Sequence, residues 1–239
     1  MNIGEVAPDH STLSRFRTVL TQTKTFEKLF SIINAQLEAH NIIVKKGIII
    51  DTPLRPKGKT NHKVTQHRSE EEVRVKKQYA DSVDKDGTWL KKRGKYHFGF
   101  KKHQVTDKEG LIIGVLTTTA SKNEIANLED VLETVNIDLP KGIPLKADKG
   151  YQSKKNGELL KKRNLKNQIL RKAYKNKPLT RLEKKFNKLI GKTRFKVERT
   201  FGGIKRWFNG GLARYRGIKK CIPKILWKPC VTICIEVQG

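Results

Sequence analysis

Apolar side chains that recur every three or four residues predict two helices near the start of the chain. The first begins around Asp9-His10-Ser11 and continues through SRFRTVLTQT, and Ser11 or Thr12 is its expected N-cap. The second, TFEKLFSIINAQLEAHN, follows Lys24. Its helically spaced apolar positions are Phe26, Leu29, Phe30, Ile33 and Leu37. The pair fits either part of a helix-turn-helix unit or plain scaffolding.

The apolar pattern then changes to short β-branched runs, which predict the strands of a sheet. GIIIDTPL (47–54) is a buried strand with Asp51 near its end, and residues 55–95 are a polar, Lys-rich insertion or loop. KYHFGFKKHQVTD (95–107) and LIIGVLTTTAS (111–121) flank a turn and are expected to form a hairpin. IPLKADKGY and NQILRKA supply two further strands.

Helical patterns separate and follow these later strands. They are KNEIANLEDVLETV, the basic KKNGELLKKRNL, and a long helix from Thr180 to about Phe208. The order of elements predicts an α/β protein with a mixed sheet of about five strands and flanking helices. Gly202 and Gly203 each cost the long helix about 1 kcal/mol relative to alanine, so a kink or an end is expected there.

The long helix carries an unusual charge pattern in the stretch TRFKVERTFGGIKRWF (193–208). Arg194, Glu198 and Lys205 have spacings that place them on one face. The adjacent face is an apolar stripe of Val197, Phe201, Ile204 and Phe208. Taken alone, this is typical of an amphipathic helix with a solvated ion-pair face.

The charge balance points to a polyanion as the partner. The 239 residues include 52 Lys and Arg against 23 Asp and Glu, which gives a net charge of +29. Nucleic acid is the commonest such partner, and an anionic membrane surface is the rival. No stretch approaches the ~20 apolar residues of a membrane span, and no secretory signal opens the chain. Three cysteines do not make a disulfide framework, so the expected location is the cytoplasm.

Three acidic residues stand where a site would form. Asp51 and Asp148 end two predicted strands, and Glu198 lies on the last helix. If the two strands are neighbours, the three carboxylates can gather outside the strand ends. Such a set favours Mg²⁺ or Mn²⁺, and two ions could serve phosphodiester chemistry. The alternatives are that Asp51 is only a strand-to-turn residue and that Asp148 is a turn acid paired with Lys149.

The other acids and the histidines are predicted to be structural. His97 and His103 share one side of an alternating strand and are read as packing or DNA-facing residues, not metal ligands. The acids read as turn or helix-surface residues are Asp107, Glu109, Glu124, Glu129 and Asp130.

Several stretches together carry a family resemblance that runs from about Asp9 to Lys220. They are DHSTLSRFR, GIIIDTPL, KYHFGFKKH, ADKGYQSKKN, KPLTRLEKKFNKLI, TRFKVERTFGGIKRWF and ARYRGIKK. The sequence resembles bacterial insertion-sequence transposases of the DDE type, most closely the insertion sequence five group of the insertion sequence four-like superfamily. That family's signature is Y-x2-R-x3-E-x6-K. Its Arg, Glu and Lys fall on Arg194, Glu198 and Lys205, whereas its Tyr falls on Gly191.

The resemblance implies a fold, a chemistry and partners. The fold would be RNase H-like, and Asp51, Asp148 and Glu198 would hold two Mg²⁺ or Mn²⁺ ions. The activity would be cleavage of transposon DNA ends, followed by attack of the freed 3′-hydroxyl on target DNA. A homo-oligomer on DNA is expected, associated with the bacterial chromosome. The expected DNA-binding residues are Arg194, Lys205, Lys101, Lys102, Lys149, Arg199 and Arg206, with the basic run 161–177.

Both ends of the chain depart from the expected family pattern. Residues 1–45 are interpreted as a helical remnant of an end-recognition region, and residues 46–220 as the catalytic domain. Residues 221–239 are interpreted as an aberrant tail, and a shift of reading frame near codon 220 is the hypothesis that explains it. Cys230 and Cys234 in this tail lack the further ligands of a metal site.

Two competing functions remain open from the sequence. One is a basic nucleic-acid-binding protein without catalysis, such as a remnant that occupies transposon ends. The other is a nuclease of the same fold that cuts DNA strands but does not join them.

Overall fold

The architecture was obtained as a computed structural model that describes residues 9–56, 84–92, 94–207, 211–213, 215 and 217–221. The helices are α1 His10–Gln22, α2 Thr25–Ala39, α3 Leu128–Glu133, α4 Lys154–Lys162 and α5 Arg181–Trp207. The strands are β1 Ile48–Asp51, β2 Leu54–Pro56, β3 Thr88–Lys92, β4 Lys95–Thr106, β5 Ile112–Thr119, β6 Pro144–Ala147 and β7 Lys166–Ile169.

Five strands form a mixed sheet in the order β5-β4-β1-β6-β7. β4 is antiparallel to both β5 and β1, whereas β1, β6 and β7 run parallel to one another. With helices on its faces, this is an RNase H-like fold, which confirms the predicted fold class. β2 and β3 are additional strands that pair with the first half of β4. Both overlap the segment predicted as an insertion, whose residues 57–83 lie outside the described residues.

One face of the sheet packs on α2, α3 and α4 to form the main core. Ile48 and Ile50 of β1 lie in this cluster and are almost fully buried. The helices contribute Leu37, Leu128, Val131, Leu132 and Leu160. Because side chains alternate along a strand, Ile49 and Asp51 face the opposite side, and α5 packs there. The sheet therefore separates a closed apolar core from the side on which the acids lie.

The N-terminal helix begins earlier than expected. Asp9 is its N-cap, because its backbone is extended and its carboxylate accepts a hydrogen bond from the Thr12 N–H at 2.7 Å. The expected N-caps, Ser11 and Thr12, are inside the helix. Lys24 then adopts a left-handed backbone conformation, φ 52°, that turns the chain from α1 into α2.

The long helix passes through the glycine pair near its end without ending there. α5 continues beyond Gly202 and Gly203 to Trp207. Val197 of the predicted apolar stripe is 1% exposed. The side chains of Phe201 and Ile204, and the whole of Phe208, lie outside the described residues.

The predicted tail is largely outside the described part of the chain. Residues 222–239, including Cys230 and Cys234, are not described, whereas Cys221 is buried against Phe100. Among the described helices, none combines the length and the apolar character that crossing a membrane requires.

Candidate active site

The ends of two neighbouring parallel strands bring Asp51 and Asp148 together. Ile50 of β1 pairs with Ala147 of β6, so the next residue of each strand is an aspartate. Register and alternation place both carboxylates on the α5 side of the sheet, at the carboxyl ends of the strands. This is the arrangement that the sequence predicted on the condition that the two strands are neighbours.

The guanidinium of Arg194 lies between these two carboxylates. Its Nη2 donates to Asp51 Oδ1 at 2.8 Å, and its Nη1 is 3.8 Å from Asp148 Oδ1. The Arg194 side chain is 13% exposed, and its Nε is buried without a hydrogen-bond partner among the described atoms. One fixed positive charge therefore neutralises the two acids in part.

Glu198 lies one helical turn beyond Arg194, and its side chain is exposed. Burial raises the pKa of Asp51, and the negative charges of Asp148 and Glu198 raise it further. The Arg194 charge and a hydrogen bond from the Thr52 N–H oppose that rise in pKa. The three predicted acids are thus close enough to affect one another electrostatically.

The donor atoms fit a hard divalent cation in part. Asp51 and Asp148 offer only carboxylate oxygens, the ligands that Mg²⁺ and Mn²⁺ prefer, and a cationic group already stands between them. Among the described residues, no three His, Cys, Asp or Glu side chains are grouped closely enough to hold a metal. A third carboxylate would have to come from Glu198 by movement of its exposed side chain.

A buried hydrogen-bond network lies directly behind the two aspartates. Tyr151 Oη is 2.7 Å from Thr52 Oγ1 and 2.6 Å from His103 Nδ1, and His103 Nε2 is 2.9 Å from Thr118 Oγ1. Burial lowers the pKa of His103 to about 4 and raises the pKa of Tyr151, so both are neutral near pH 7. The network ties the residue after Asp51 to the turn after Asp148.

Glu124 is a site neighbour that the sequence analysis placed among surface acids. It precedes α3 in a short 3-10 turn that packs against the turn Lys149–Tyr151. Its Oε1 is 3.6 Å from Lys101 Nζ. Burial and the charge of Asp148 raise its pKa, and Lys101 lowers it. No local sequence pattern marks this position, because the contact joins two turns that are distant along the chain.

Two of the residues predicted to contact DNA are not on a surface. Lys101 is 7% exposed and Lys102 is fully buried, although as adjacent residues of β4 they face opposite sides of the sheet. Lys101 Nζ donates to the Lys122 carbonyl at 2.8 Å and pairs with Glu124. The prediction that these two lysines contact DNA is corrected accordingly. His103 is a packing residue rather than a DNA-facing one.

The other predicted DNA-binding side chains are accessible. Lys149 is exposed beside Asp148. Arg199, Lys205 and Arg206 are exposed along the last turns of α5, where the Arg206 guanidinium stacks on the Trp207 ring at 5.1 Å. A phosphate backbone could reach all of them without a change in the fold.

Known proteins match this chain over most of its length. Residues 46–220 match the family model described as the transposase DDE domain. The chain is 36% identical over 209 residues to the transposase for insertion sequence element IS1106 of Neisseria meningitidis serogroup B. That alignment covers 86% of this chain and 70% of the relative. No protein of known structure shows significant similarity to this chain. The chain belongs to the DDE transposase family.

Proposed function

We propose that this protein is the transposase of a bacterial insertion sequence, which cuts the DNA ends of its element and joins the freed 3′-hydroxyls to target DNA. The observation that carries the proposal is the convergence of Asp51 and Asp148 at adjacent strand ends with Arg194 between them. The family match over residues 46–220 and the net charge of +29 support it.

The proposed metal ligands are Asp51, Asp148 and Glu198, for two Mg²⁺ or Mn²⁺ ions. When bound, the metal would polarise the scissile phosphate and lower the pKa of the attacking hydroxyl or water. The role of the protein is to hold the metal-binding carboxylates in place. Asp51 must be ionised to bind a metal ion. Burial opposes its ionisation, and a cationic partner favours it.

Arg194 is proposed to serve first as that partner and then as a phosphate ligand. Its planar guanidinium can hold two oxygens of a carboxylate pair or of a phosphate in the same bidentate manner. Lys149, Arg199, Lys205 and Arg206 would hold the flanking backbone as point charges or stacked cations. Phosphoryl transfer needs such positioning and electrostatic stabilisation more than covalent chemistry from the protein.

The finer assignment, to the insertion sequence five group, rests on the match of Arg194, Glu198 and Lys205 to the family signature. We assign residues 46–220 to the catalytic unit on the extent of the family match. Because transposition brings together two DNA ends, we also propose a homo-oligomer of at least two copies on chromosomal DNA in the cytoplasm.

Cleavage of a linear DNA that carries the element's terminal repeats tests the proposal. With Mg²⁺, the wild-type protein is expected to cut at the repeat ends, and Glu198→Gln is expected to bind the same DNA without cutting it. Glu129→Gln is the control for loss of an exposed acid on another helix, and it should cut normally. Binding without cleavage by the wild-type protein would instead identify a non-catalytic DNA-binding remnant.

A second assay separates a transposase from a nuclease. A pre-cut end with a free 3′-hydroxyl is mixed with target plasmid and Mg²⁺. Joined products are expected from the wild-type protein and not from Glu198→Gln. Cleavage of intact ends without any joining would favour the nuclease.

A further inference from the structure

Three lysines surround a cavity on the α5 side of the sheet, next to the carboxylates. We propose that this lysine pocket, defined by Lys46, Lys108 and Lys146, binds a backbone phosphate of the DNA close to the one that is cut. The cavity measures about 290 Å³. The other residues that line it are Gly47, Ile48, Ile49, Pro144, Gln168, Leu189, Ile190 and Thr193. The inference rests on the proposed function, since it assumes DNA at the active site.

The pocket has positive charge and nothing in its lining to balance it. No acidic residue is among the residues that line it, and none of its three lysines forms an ion pair with the described part of the chain. Three lysines that line one cavity carry positive charges that repel one another. An anion in the pocket removes that cost, and a phosphodiester is the anion that a DNA-cutting protein meets.

The walls of the pocket suit a phosphate with its sugar. Lys46 and Lys108 are exposed at the mouth, whereas Lys146 is half-buried. Gln168 adds an amide that can donate to a phosphate oxygen, whereas the Thr193 hydroxyl already donates to the Ile190 carbonyl at 2.8 Å. Ile49, whose side chain faces α5, gives an apolar floor. Lysines bind phosphate as point charges, so the pocket would hold DNA without reading its sequence.

The position of the pocket connects it to the proposed chemistry. Ile49 and Lys146 come two residues before Asp51 and Asp148 on the same strands, so they share a face with them at a distance of about 7 Å. Thr193 on the pocket wall directly precedes Arg194 on α5. A strand whose scissile phosphate lies at the aspartates can therefore place a neighbouring phosphate in the pocket.

Salt-dependent DNA affinity tests the pocket directly. The triple variant Lys46→Gln, Lys108→Gln, Lys146→Gln is compared with Lys85→Gln, Lys95→Gln, Lys141→Gln, which removes the same charge from exposed positions outside the pocket. Both are measured by fluorescence anisotropy in the Glu198→Gln background, on DNA that carries a terminal repeat. The pocket variant is expected to bind about tenfold more weakly than wild type. The magnitude of the slope of log K against log salt should fall by about one to two.

Neutral phosphates locate the contact on the DNA. Methylphosphonates are placed one at a time within a few nucleotides of the cleavage site. One position should weaken wild-type binding strongly and leave the pocket variant unaffected. The proposal would be overturned if the two triple variants lost equal DNA affinity. It would also be overturned if the pocket variant responded to every neutral phosphate as the wild type does.

Two further measurements keep the outcome clear. The double variant Lys46→Gln, Lys108→Gln removes only exposed lysines, so it gives a result even if the triple variant does not fold; it should lose part of the slope. Wild type and the triple variant are also titrated with inorganic phosphate at matched ionic strength, and their phosphate affinities should be equally weak. Tight phosphate binding by wild type alone would show that the pocket is a site for a free anion. All of these experiments measure DNA or phosphate binding and none measures cleavage. Absence of cleavage would therefore refute the proposed function without affecting the result for the pocket.

Discussion

Arg194 Nη2 lies 2.8 Å from Asp51 Oδ1. A basic residue of α5 is thus paired with a carboxylate at the end of the central strand β1. The pair joins residues that are 143 positions apart in the chain. Asp51 is largely buried, and burial is the main cause that raises its pKa. The charge of Arg194 therefore favours the ionised form of Asp51, and this relationship leads to the first two predictions.

Removal of the arginine should destabilise the protein in a pH-dependent way. Arg194→Gln leaves Asp51 without its cation, so the folded-state pKa of Asp51 rises further above its ordinary value. The stability that a proton on Asp51 contributes is then fully present below the unfolded-state pKa of an aspartate, about 4, and is lost as the pH rises from there through the raised folded-state pKa. We expect a loss of about 1–3 kcal/mol at pH 7–8 and much less at about pH 3–4, measured by urea unfolding without metal. A loss that does not depend on pH would separate Arg194 from the ionisation of Asp51.

The same pair predicts competition between the arginine and a metal ion. A divalent cation bound by Asp51 and Asp148 must displace the Arg194 guanidinium from between them. Arg194→Gln is therefore expected to bind Mn²⁺ several-fold more tightly than wild type in a calorimetric titration. Asp148→Asn should abolish this binding, and Arg199→Gln, a loss of the same charge from an exposed position on α5, should leave it unchanged. Weaker Mn²⁺ binding in Arg194→Gln would contradict the competition.

The network behind the aspartates should contribute to stability and to cleavage. Tyr151→Phe removes the hydroxyl that contacts both Thr52 Oγ1 and His103 Nδ1, and it leaves these two atoms only their 3.2 Å contact with each other. We expect a loss of about 1–3 kcal/mol in the free energy of unfolding and slower cleavage. Tyr96→Phe removes a hydroxyl from a residue that is 66% exposed, so its effect should stay within about 0.5 kcal/mol. Equal effects of the two substitutions would show that the Tyr151 hydroxyl contributes nothing specific.

Space at Gly150 should be limited by Glu124. A Cβ at position 150 would overlap Glu124 Oε2, so Gly150→Ala must move that carboxylate, which pairs with Lys101 through its other oxygen. We expect a loss of about 1–2 kcal/mol in unfolding experiments, since Glu124 is partly buried and paired. In the double variant with Glu124→Ala, the overlap is gone and the losses should be less than additive. Additive losses would show that the two positions are independent.

The sheet and its acids could be predicted from local patterns, because alternation and β-branched runs mark strands and a strand end fixes where an acid lies. Asp51 and Asp148 followed from that reasoning, once β1 and β6 proved to be neighbours. The burial of Lys101 and Lys102 could not be predicted in this way. Adjacent residues of a strand face opposite sides, and the sequence does not state that each side of β4 is covered. The lysine pocket was missed for a related reason, because its cations come from three separate segments.

Gly191, which stands where the family signature has a tyrosine, offers the last test. It lies within α5, is exposed, and a Cβ there would meet no atom within 4 Å. Glycine inside a helix costs about 1 kcal/mol relative to alanine, so Gly191→Ala should stabilise the protein by roughly that amount. Gly191→Tyr should also be stabilising or neutral, because the position is open. If the tyrosine of the signature serves catalysis, Gly191→Tyr alone will raise cleavage and joining on terminal-repeat DNA. Equal activity of the two variants would mean that the position matters only for helix stability.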